Sequence, residues 1–191
     1  MIIPIYNCFH PILKERTKHI DIVTDEIKTL INNMFDTLAN TENGVGLAAN
    51  QVGNNSSLFV INVSEVDEYK GMDKLVFINP KIINYSEETN FYQEGCLSVP
   101  TFYEDIERPI SIVIQYFDIE MTNKTAEFSG FLARVIQHEY DHLEGILFFE
   151  KLSTFKKTLS KNKLKKIKYG NIEIDYDMIS PTGKFIKVSC E

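Results

Sequence analysis

Two stretches of the chain place apolar residues at helical spacing, and each predicts an α-helix with one buried face. The first lies between residues 25 and 39. Its apolar positions are Ile27, Leu30, Ile31, Met34, Phe35 and Leu38. Thr24 is placed to cap the first turn, and Asp25 and Glu26 suit the positive end of the helix dipole. We interpret this stripe as core rather than as a binding groove.

The second helical pattern runs between residues 131 and 143. Its apolar positions are Phe131, Leu132, Val135, Ile136, Tyr140 and Leu143. Gly145 follows and is expected to end the helix in a left-handed conformation. Arg134 stands among the apolar residues, and we expect it on the outer face of the helix.

Segments rich in β-branched and aromatic residues predict strands before, between and after these helices. We place them at residues 57–63, 75–78, 81–85, 110–117 and 125–128. Near the end of the chain Ile172, Ile174 and Tyr176 alternate with polar residues. A predicted turn at 180–183 leads into residues 184–188, so the chain is expected to end in a β-hairpin.

These elements predict an α+β fold, with antiparallel β-sheets packed around a central helix that carries the HExxH motif described below. The chain has 191 residues, of which 43% are hydrophobic, enough for one sizeable core. It shows no repeat and no linker. We therefore expect residues 1–191 to form a single catalytic domain.

Composition narrows the class of protein. The net charge of −7 argues against general binding of nucleic acid. Three cysteines fit a reducing compartment better than a disulfide framework, and no apolar run is long enough to span a membrane. The run from Lys156 to Lys168 breaks the acidic pattern with seven lysines and no acid, so subtracting its +7 leaves −14 elsewhere.

The second helix contains His138-Glu139-Tyr140-Asp141-His142, an HExxH motif. Residues four apart share a helix face, so His138 and His142 can offer two imidazoles to one metal ion. Glu139 stands beside them and can handle protons. The alternative is a chance match in an ordinary buried helix, which is improbable in a chain of this length.

A third ligand is not apparent downstream. Phe148 occupies the position where metzincin proteases have a histidine, and no acid occurs between Lys151 and Lys168. Upstream, Cys96 completes a Cys-His-His set, and such a set leaves one coordination position open for catalysis.

Two other classes of protein stay open on these residues. In a structural metal protein, Cys8 or Cys190 would close the site as a fourth ligand; a zinc endopeptidase is favoured by the HExxH motif alone. His10 and His19 have no spaced partner, and we do not expect them to be ligands.

A glycine-containing stretch spans residues 43–53, Asn-Gly-Val-Gly-Leu-Ala-Ala-Asn-Gln-Val-Gly. Its first two glycines allow the backbone to approach another group closely, and residues 47–49 are expected to form a short helical turn. A phosphate-binding loop is excluded because no Lys-Ser/Thr follows and Ala49 stands where a third glycine is required.

Three segments together resemble the signature motifs of the peptide deformylase family, in the same order. They are residues 44–51 (GVGLAANQ), 94–98 (EGCLS) and 137–142 (QHEYDH). The resemblance spans roughly residues 12–152. It implies removal of the formyl group from N-formylmethionine of newly made proteins. It implies a protein of bacterial type, with an organellar location left open, and the absence of a long apolar run leads us to expect it in the cytoplasm.

The resemblance also implies roles for individual residues. The metal ligands would be Cys96, His138 and His142. The ion would be Fe(2+) natively, with Zn, Ni or Co possible in the purified protein. A metal-bound water would attack the formyl carbon with Glu139 as general acid and base. The oxyanion donors would be the Gln51 amide and the Leu97 backbone N–H, although Gln51 by itself would be interpreted as a capping residue.

Substrate contacts follow from the same motifs. Gly44, Val45 and Gly46 would line the path of the peptide. Phe131 and Val135 lie on the ligand face of the helix and could line a methionine pocket, although plain core packing explains them almost as well. The partner would be a nascent N-formylmethionyl polypeptide. We expect the protein to bind neither a membrane nor a specific DNA sequence.

Three local expectations complete the sequence-based prediction. Residues 101–105 stand where the family commonly has a glycine nearby, and we expect a bulky acidic loop there. Glu94 and Arg108 flank Cys96 and are expected to form a salt bridge that fixes the cysteine. The run from Lys156 to Lys168 is either a solvated surface or a contact to the ribosome.

Overall fold

The computed structural model describes residues 1–170 and 172–187. In chain order the described residues form β1 (Ile5–Tyr6), α1 (Asp25–Ala39), β2 (Gly46–Ala48), β3 (Leu58–Ile61), β4 (Leu75–Tyr85), β5 (Thr89–Cys96), β6 (Val99–Pro109), β7 (Ser111–Phe117), β8 (Asn123–Ser129), α2 (Gly130–Leu143), α3 (Thr154–Lys168), β9 (Met178–Ile179) and β10 (Phe185–Ile186). Short 3₁₀ helices connect several of them.

The predicted first helix is confirmed as α1. Thr24 caps it by accepting a hydrogen bond from the backbone N–H of Ile27. Its buried face includes Ile31, Met34 and Leu38, each at most 2% exposed. The apolar stripe therefore packs into the core, as its periodicity indicates.

The predicted middle strands join β2, which was not predicted, in one antiparallel sheet in the order β2-β3-β4-β7-β8. Residues 75–78 and 81–85, predicted as two strands, are the single strand β4. Pro80 lies between them, and the pairing of β4 with β7 shifts register between Ile78 and Lys81. Proline cannot donate to the ladder, so this irregularity lets one strand continue through it.

Strands β5 and β6 form a separate antiparallel pair that the sequence did not predict. The expectation of a loop at residues 101–105 is wrong, because these residues belong to β6. The side chains of Phe102, Ile106 and Arg108 are buried, whereas Thr101 and Tyr103 are exposed. A charged residue within the buried set weakens the apolar alternation that signals a strand.

Helix α3 was also missed as a helix. Ser153 caps it by accepting from the N–H of Lys156, but only Ser160 and Ile167 along its length are buried. Seven lysines leave no apolar stripe to recognise, although lysine is itself a good helix former.

The C-terminal hairpin is confirmed, since β9 and β10 pair antiparallel. Its first strand is Met178–Ile179, which also pairs parallel with β1. The strand expected from the alternation of Ile172, Ile174 and Tyr176 is wrong, because residues 172–177 join no sheet. The last predicted residue of the hairpin, Val188, lies outside the described residues. The short helical turn expected at 47–49 is wrong for Leu47 and Ala48, which belong to β2, and a 3₁₀ helix begins only at Ala49.

Helix α2 packs against β2, β3, β7 and β8 of the five-stranded sheet. Ala133 and Ile136 are fully buried in the same cluster as Phe59, Ile61 and Phe77. The α+β class with antiparallel sheets is thus confirmed. Among the described residues, no helix is long and apolar enough to cross a membrane.

Candidate metal centre

Helix α2 presents the HExxH motif at its C-terminal end. His138 and His142 lie one turn apart, with ring centroids separated by 5.1 Å. The helix ends as predicted, because Gly145 adopts a left-handed φ of 72°. A Cβ at Gly145 would lie 2.6 Å from the carbonyl oxygen of Lys14, so the close approach also requires glycine.

Cys96 reaches the two histidines from the end of β5. Its Sγ lies 3.2 Å from Nε2 of His142, and one ligand atom from each of Cys96, His138 and His142 lies within 4.8 Å of the others. Ligands around a tetrahedral ion at about 2.0–2.3 Å are separated by about 3.5 Å. The donor set, two imidazoles and a thiol, fits a divalent transition metal such as iron or zinc.

The two histidines differ in their electrostatic surroundings. Burial alone lowers the pKa of His138, but hydrogen bonds to Cys96 and Glu94 outweigh it and raise that pKa well above its ordinary value. Burial, followed by the charge of His138, lowers the pKa of His142 well below its ordinary value. The difference follows from the partners, because Glu94 contacts Nδ1 of His138, whereas Nδ1 of His142 is buried without a hydrogen-bond partner among the described residues.

Glu94 organises a group of buried charges that we call the ion-pair cluster, made up of Glu94, Arg108, Arg134 and Asp141. Arg108 donates from Nε to Glu94 Oε1 at 2.6 Å and from Nη1 to Asp141 Oδ2 at 2.6 Å. The predicted Glu94–Arg108 salt bridge is confirmed. Oε2 of Glu94 also lies 2.9 Å from Nδ1 of His138, which orients the opposite ring nitrogen towards a metal.

The expectation that Arg134 lies on the outer face of α2 is wrong. Arg134 is only 5% exposed, and its Nη1 donates to Glu94 Oε1 at 3.1 Å and to the carbonyl of Ile106 at 2.9 Å. Arg134 precedes His138 by four residues and thus shares its inward face. Its acidic partner comes from β5, and nothing in the helix sequence reveals that partner.

Gln51 and Leu97 both lie beside the three ligands. Gln51 is buried, its Oε1 accepts from the N–H of Ala48 at 2.8 Å, and its Nε2 is 3.5 Å from Cys96 Sγ. Gln51 therefore makes the capping contact, to Ala48, and its amide nitrogen still lies beside Cys96. Leu97 follows Cys96, and its carbonyl accepts from Tyr176 Oη at 2.6 Å.

Glu139 lies on the same helix with different surroundings. It is 4% exposed, and its Oε2 is buried without a hydrogen-bond partner among the described residues. Burial raises its pKa to about 7. The β2 backbone approaches so closely that a Cβ on Gly46 would lie 2.5 Å from Glu139 Oε1. A carboxylate with an unused oxygen and a pKa near 7 can both accept and return a proton.

A cavity of about 590 Å³ opens beside the three possible metal ligands. Its lining includes the residues that the sequence analysis assigned to substrate contacts, namely Gly44, Val45, Gly46, Phe131 and Val135. Val135 is 6% exposed and also belongs to the core cluster of α2, so it serves both cavity and core. The lining further includes Gln51, Cys96, Leu97, His138 and Glu139.

Cys8 is buried in an apolar cluster against which Cys96 also packs. Its thiol contacts Asn7 Oδ1 at 3.8 Å, and burial raises its pKa. Cys8 is not part of the group that could hold a metal, and Cys190 lies outside the described residues.

The remaining histidines have other contacts. His10 accepts from the N–H of Ile12, and His19 is exposed near Asp21. Neither belongs to the possible metal-binding group.

Several cavity residues were not found from the sequence. They are Tyr92, Tyr103, Arg134, Glu173, Asp175 and Tyr176. Tyr92 and Tyr103 come from β5 and β6, which lacked a clear pattern, and Glu173, Asp175 and Tyr176 come from beyond α3. No local motif signals them, because they reach the cavity only through the tertiary fold.

Known proteins give a consistent match. A family model described as polypeptide deformylase matches residues 2–158. A peptide deformylase of Christiangramia forsetii is 46% identical over 194 residues, covering 96% of this chain and 98% of the other. One of Salinibacter ruber is 40% identical over 187 residues, covering 94% and 95%.

Solved structures give the same match. A plant peptide deformylase superposes with a TM-score of 0.82 at 36% identity, covering 88% of this chain and 90% of the other. A peptide deformylase from Legionella pneumophila superposes with a TM-score of 0.80 at 32% identity, covering 90% and 98%.

Proposed function

The chain belongs to the peptide deformylase family, a family of metal-dependent hydrolases of protein biosynthesis, and from that premise we propose that it removes the N-formyl group from N-formylmethionine of newly made proteins. One observation carries the proposal. Cys96, His138 and His142 converge beside a cavity that Glu139 also lines, and Oε2 of Glu139 is buried without a partner among the described residues. We propose further that residues 1–191 act as one catalytic domain.

Cys96, His138 and His142 would hold the ion. A bound divalent ion supplies a Lewis acid that polarises a carbonyl and lowers the pKa of a coordinated water. Three protein ligands suit catalysis, because a structural site requires a fourth. Glu94 supports this assignment by fixing the ring of His138 through Nδ1.

Glu139 would move the proton. Its free Oε2 takes a proton from the attacking water, and the same oxygen returns it to the amine nitrogen as the bond between the formyl carbon and nitrogen breaks. A pKa of about 7 suits both halves of this exchange near neutral pH.

Gln51 and Leu97 would stabilise the negative charge that develops on the formyl oxygen. Gln51 donates from Nε2, and its Oε1 is already fixed by Ala48, so the amide does not need to reorganise during the reaction. The backbone N–H of Leu97 is the second donor. Phe131 and Val135 would receive the methionine side chain, and residues 44–46 would contact the peptide.

We propose Fe(2+) as the native ion, with Zn, Ni or Co able to occupy the same ligands after purification. A thiolate beside Fe(2+) is open to oxidation. Activity of the iron form is therefore expected to decay in air, whereas the Ni form keeps it. Equal persistence of both forms in air contradicts this assignment of the ion, and anaerobic metal analysis identifies the ion present.

We also propose that the protein works in the cytoplasm beside the ribosome, with α3 as the contact. Six lysines of α3 are exposed, as are Phe155 and Leu159. Phosphate contacts release counterions, so co-sedimentation with ribosomes should weaken steeply as salt is added. Changing four of the lysines to Gln should abolish it, and equal binding by both proteins removes the proposal.

The activity is tested by offering the metal-loaded protein formyl-Met-Ala and an internal peptide. Release of formate from the first and no cleavage of the second is expected. Cleavage of the internal peptide alone favours a zinc endopeptidase. If neither substrate reacts while the metal stays bound, the site is structural and the proposed function fails.

A further inference from the structure

The segment that follows α3 returns to the cavity and forms part of its wall. Glu173, Ile174, Asp175 and Tyr176 all line the cavity that contains Cys96. The family model matches only residues 2–158, so this wall lies beyond the matched part of the chain.

The wall is anchored on both sides. Tyr176 is 8% exposed and donates from Oη to the carbonyl of Leu97, the residue after Cys96, at 2.6 Å. Ile174 packs against the core cluster of α1, and β9 begins two residues after Tyr176 and pairs with β1. The exposed side chains between these anchors therefore have a defined place at the cavity mouth.

Those exposed side chains are acidic. Glu173 and Asp175 are solvent-exposed, and Glu42, which follows α1, lines the same cavity and is exposed as well. Within residues 1–170 and 172–187, none of the three forms an ion pair, and no lysine lines the cavity. Arg134 is the one arginine in the lining, and it is buried against Glu94. The mouth therefore carries negative charge that the protein does not neutralise.

Tyr103 on β6 adds to the same preference, because it lines the cavity and is 57% exposed. The ring of Tyr92, which also lines the cavity, already faces the guanidinium of Arg134 at 6.0 Å. The faces of aromatic rings attract cations. Acid and aromatic groups at the mouth thus both favour a positively charged ligand.

The interior determines which part of a ligand meets this mouth. Glu139, 4% exposed with a buried unpartnered oxygen, faces the cavity beside the three ligands. On the function proposed above, the formyl end of the peptide is held there. The residues that follow methionine must then leave past the exposed rim.

We propose that Glu173 and Asp175, assisted by Glu42, are specificity-determining residues that favour formyl-peptides with a basic residue shortly after methionine and disfavour acidic ones. Opposite charges across a partly exposed rim raise the rate of productive encounter, and like charges lower it. The preference therefore appears in kcat/KM and weakens as salt screens the charges.

The test compares three substrates with the metal-loaded protein: formyl-Met-Ala-Lys, formyl-Met-Ala-Ser and formyl-Met-Ala-Glu, each with an amidated C-terminus. At about 0.01 M salt, kcat/KM should be about tenfold higher for the Lys peptide than for the Glu peptide. At about 0.5 M salt the ratio should fall below about threefold. A ratio near one at low salt overturns the proposal.

Variants assign the effect to these residues. Glu173→Gln with Asp175→Asn should bring the Lys-to-Glu ratio to about threefold or less, and Glu173→Lys with Asp175→Lys should reverse it. The matched control is Glu65→Gln with Glu127→Gln, which removes two exposed acids outside the cavity and should leave the ratio unchanged.

An unchanged ratio in the Gln/Asn variant, or an equal fall in the control, overturns the assignment. If the unmodified protein does not deformylate the neutral Ser peptide, the proposed function itself is overturned.

Discussion

The carboxylates of Glu94 and Glu139 both lie close to His138, but their surroundings differ. Glu94 in the ion-pair cluster is 5% exposed, and Glu139 in the cavity wall is 4% exposed. Glu94 is bonded to Arg108, Arg134 and His138. Glu139 leaves its Oε2 without a partner among the described residues. Burial is nearly equal, and the partners differ.

The partners decide what each carboxylate does. Burial alone raises the pKa of Glu94, but hydrogen bonds from His138 and Arg108 outweigh it and hold that pKa well below its ordinary value. Burial without such partners raises the pKa of Glu139 to about 7. Glu94 is therefore a permanent charge that fixes structure, whereas Glu139 can exchange a proton near neutral pH.

The largest effect is expected at Glu139. Glu139→Gln and Glu139→Ala should retain the metal but lose about two to four orders of magnitude in kcat, because the three ligands remain and the general base is lost. Their free energy of unfolding should not fall, since a poorly solvated carboxylate without a partner is removed. Turnover, metal content and urea unfolding measure these outcomes.

Glu127→Gln is the matched control for that experiment, because Glu127 is an exposed carboxylate on β8 outside the cavity. It should leave kcat unchanged. Near-normal turnover by Glu139→Gln would falsify the role given to Glu139.

Substitutions in the ion-pair cluster should instead lower the stability of the protein. Arg108→Met leaves Glu94 and Asp141 buried without their shared partner and should cost about 3–5 kcal/mol in the free energy of unfolding. Lys124→Met is the control, because it breaks the partly exposed pair with Asp118 and should lower the free energy of unfolding far less. Urea unfolding of both variants measures the difference. Similar losses in the two would mean that burial does not separate them.

Gly46→Ala tests how closely Glu139 is held. The added Cβ would lie 2.5 Å from Glu139 Oε1, so the carboxylate must shift. A displacement of about 1 Å costs about 10²-fold in rate, and we expect a loss of about 10- to 100-fold in kcat with the metal retained. Thermal unfolding separates displacement from general destabilisation. A variant with unchanged kcat and stability would show that β2 does not constrain Glu139.

The smallest effect lies at the cavity rim, away from both carboxylates. Thr101 has a φ of 61°, a conformation that is strained for a β-branched residue. Thr101→Gly should therefore stabilise the protein by about 1 kcal/mol. Thr125→Gly is the control on β8, where φ is not positive, and it should destabilise by about 1 kcal/mol. Loss of stability in Thr101→Gly would mean that no strain is stored there.

Local patterns predicted a large part of the molecule. The stripe that became α1 and the second stripe that became α2 repeat over three or more turns, and such repetition depends only on near neighbours. The Glu94–Arg108 pair was predicted because a buried carboxylate near a ligand needs a partner.

Strand β6, helix α3 and the inward position of Arg134 escaped prediction because their residues violate the local pattern. Strand β6 buries Arg108 in a set with Ile106, and α3 buries only Ser160 and Ile167 among its lysines. Arg134 was expected to face outward because the charge of a residue was weighed without knowledge of its neighbours. In each case a residue distant in sequence compensates a charge or covers a face. The local hydrophobic periodicity does not depend on that residue and cannot reveal it.

The sequence by itself determined the pair His138 and His142, because a helix brings residues four apart to the same face whatever surrounds it. Only the tertiary structure brought Cys96 to within 3.2 Å of His142 across 46 residues, and Tyr176 to Leu97 across 79. Such contacts depend on how strands pair and where the chain reverses. Strand pairing joins residues of any sequence separation, so it is decided by the burial and hydrogen bonding of the whole chain and not by a local period.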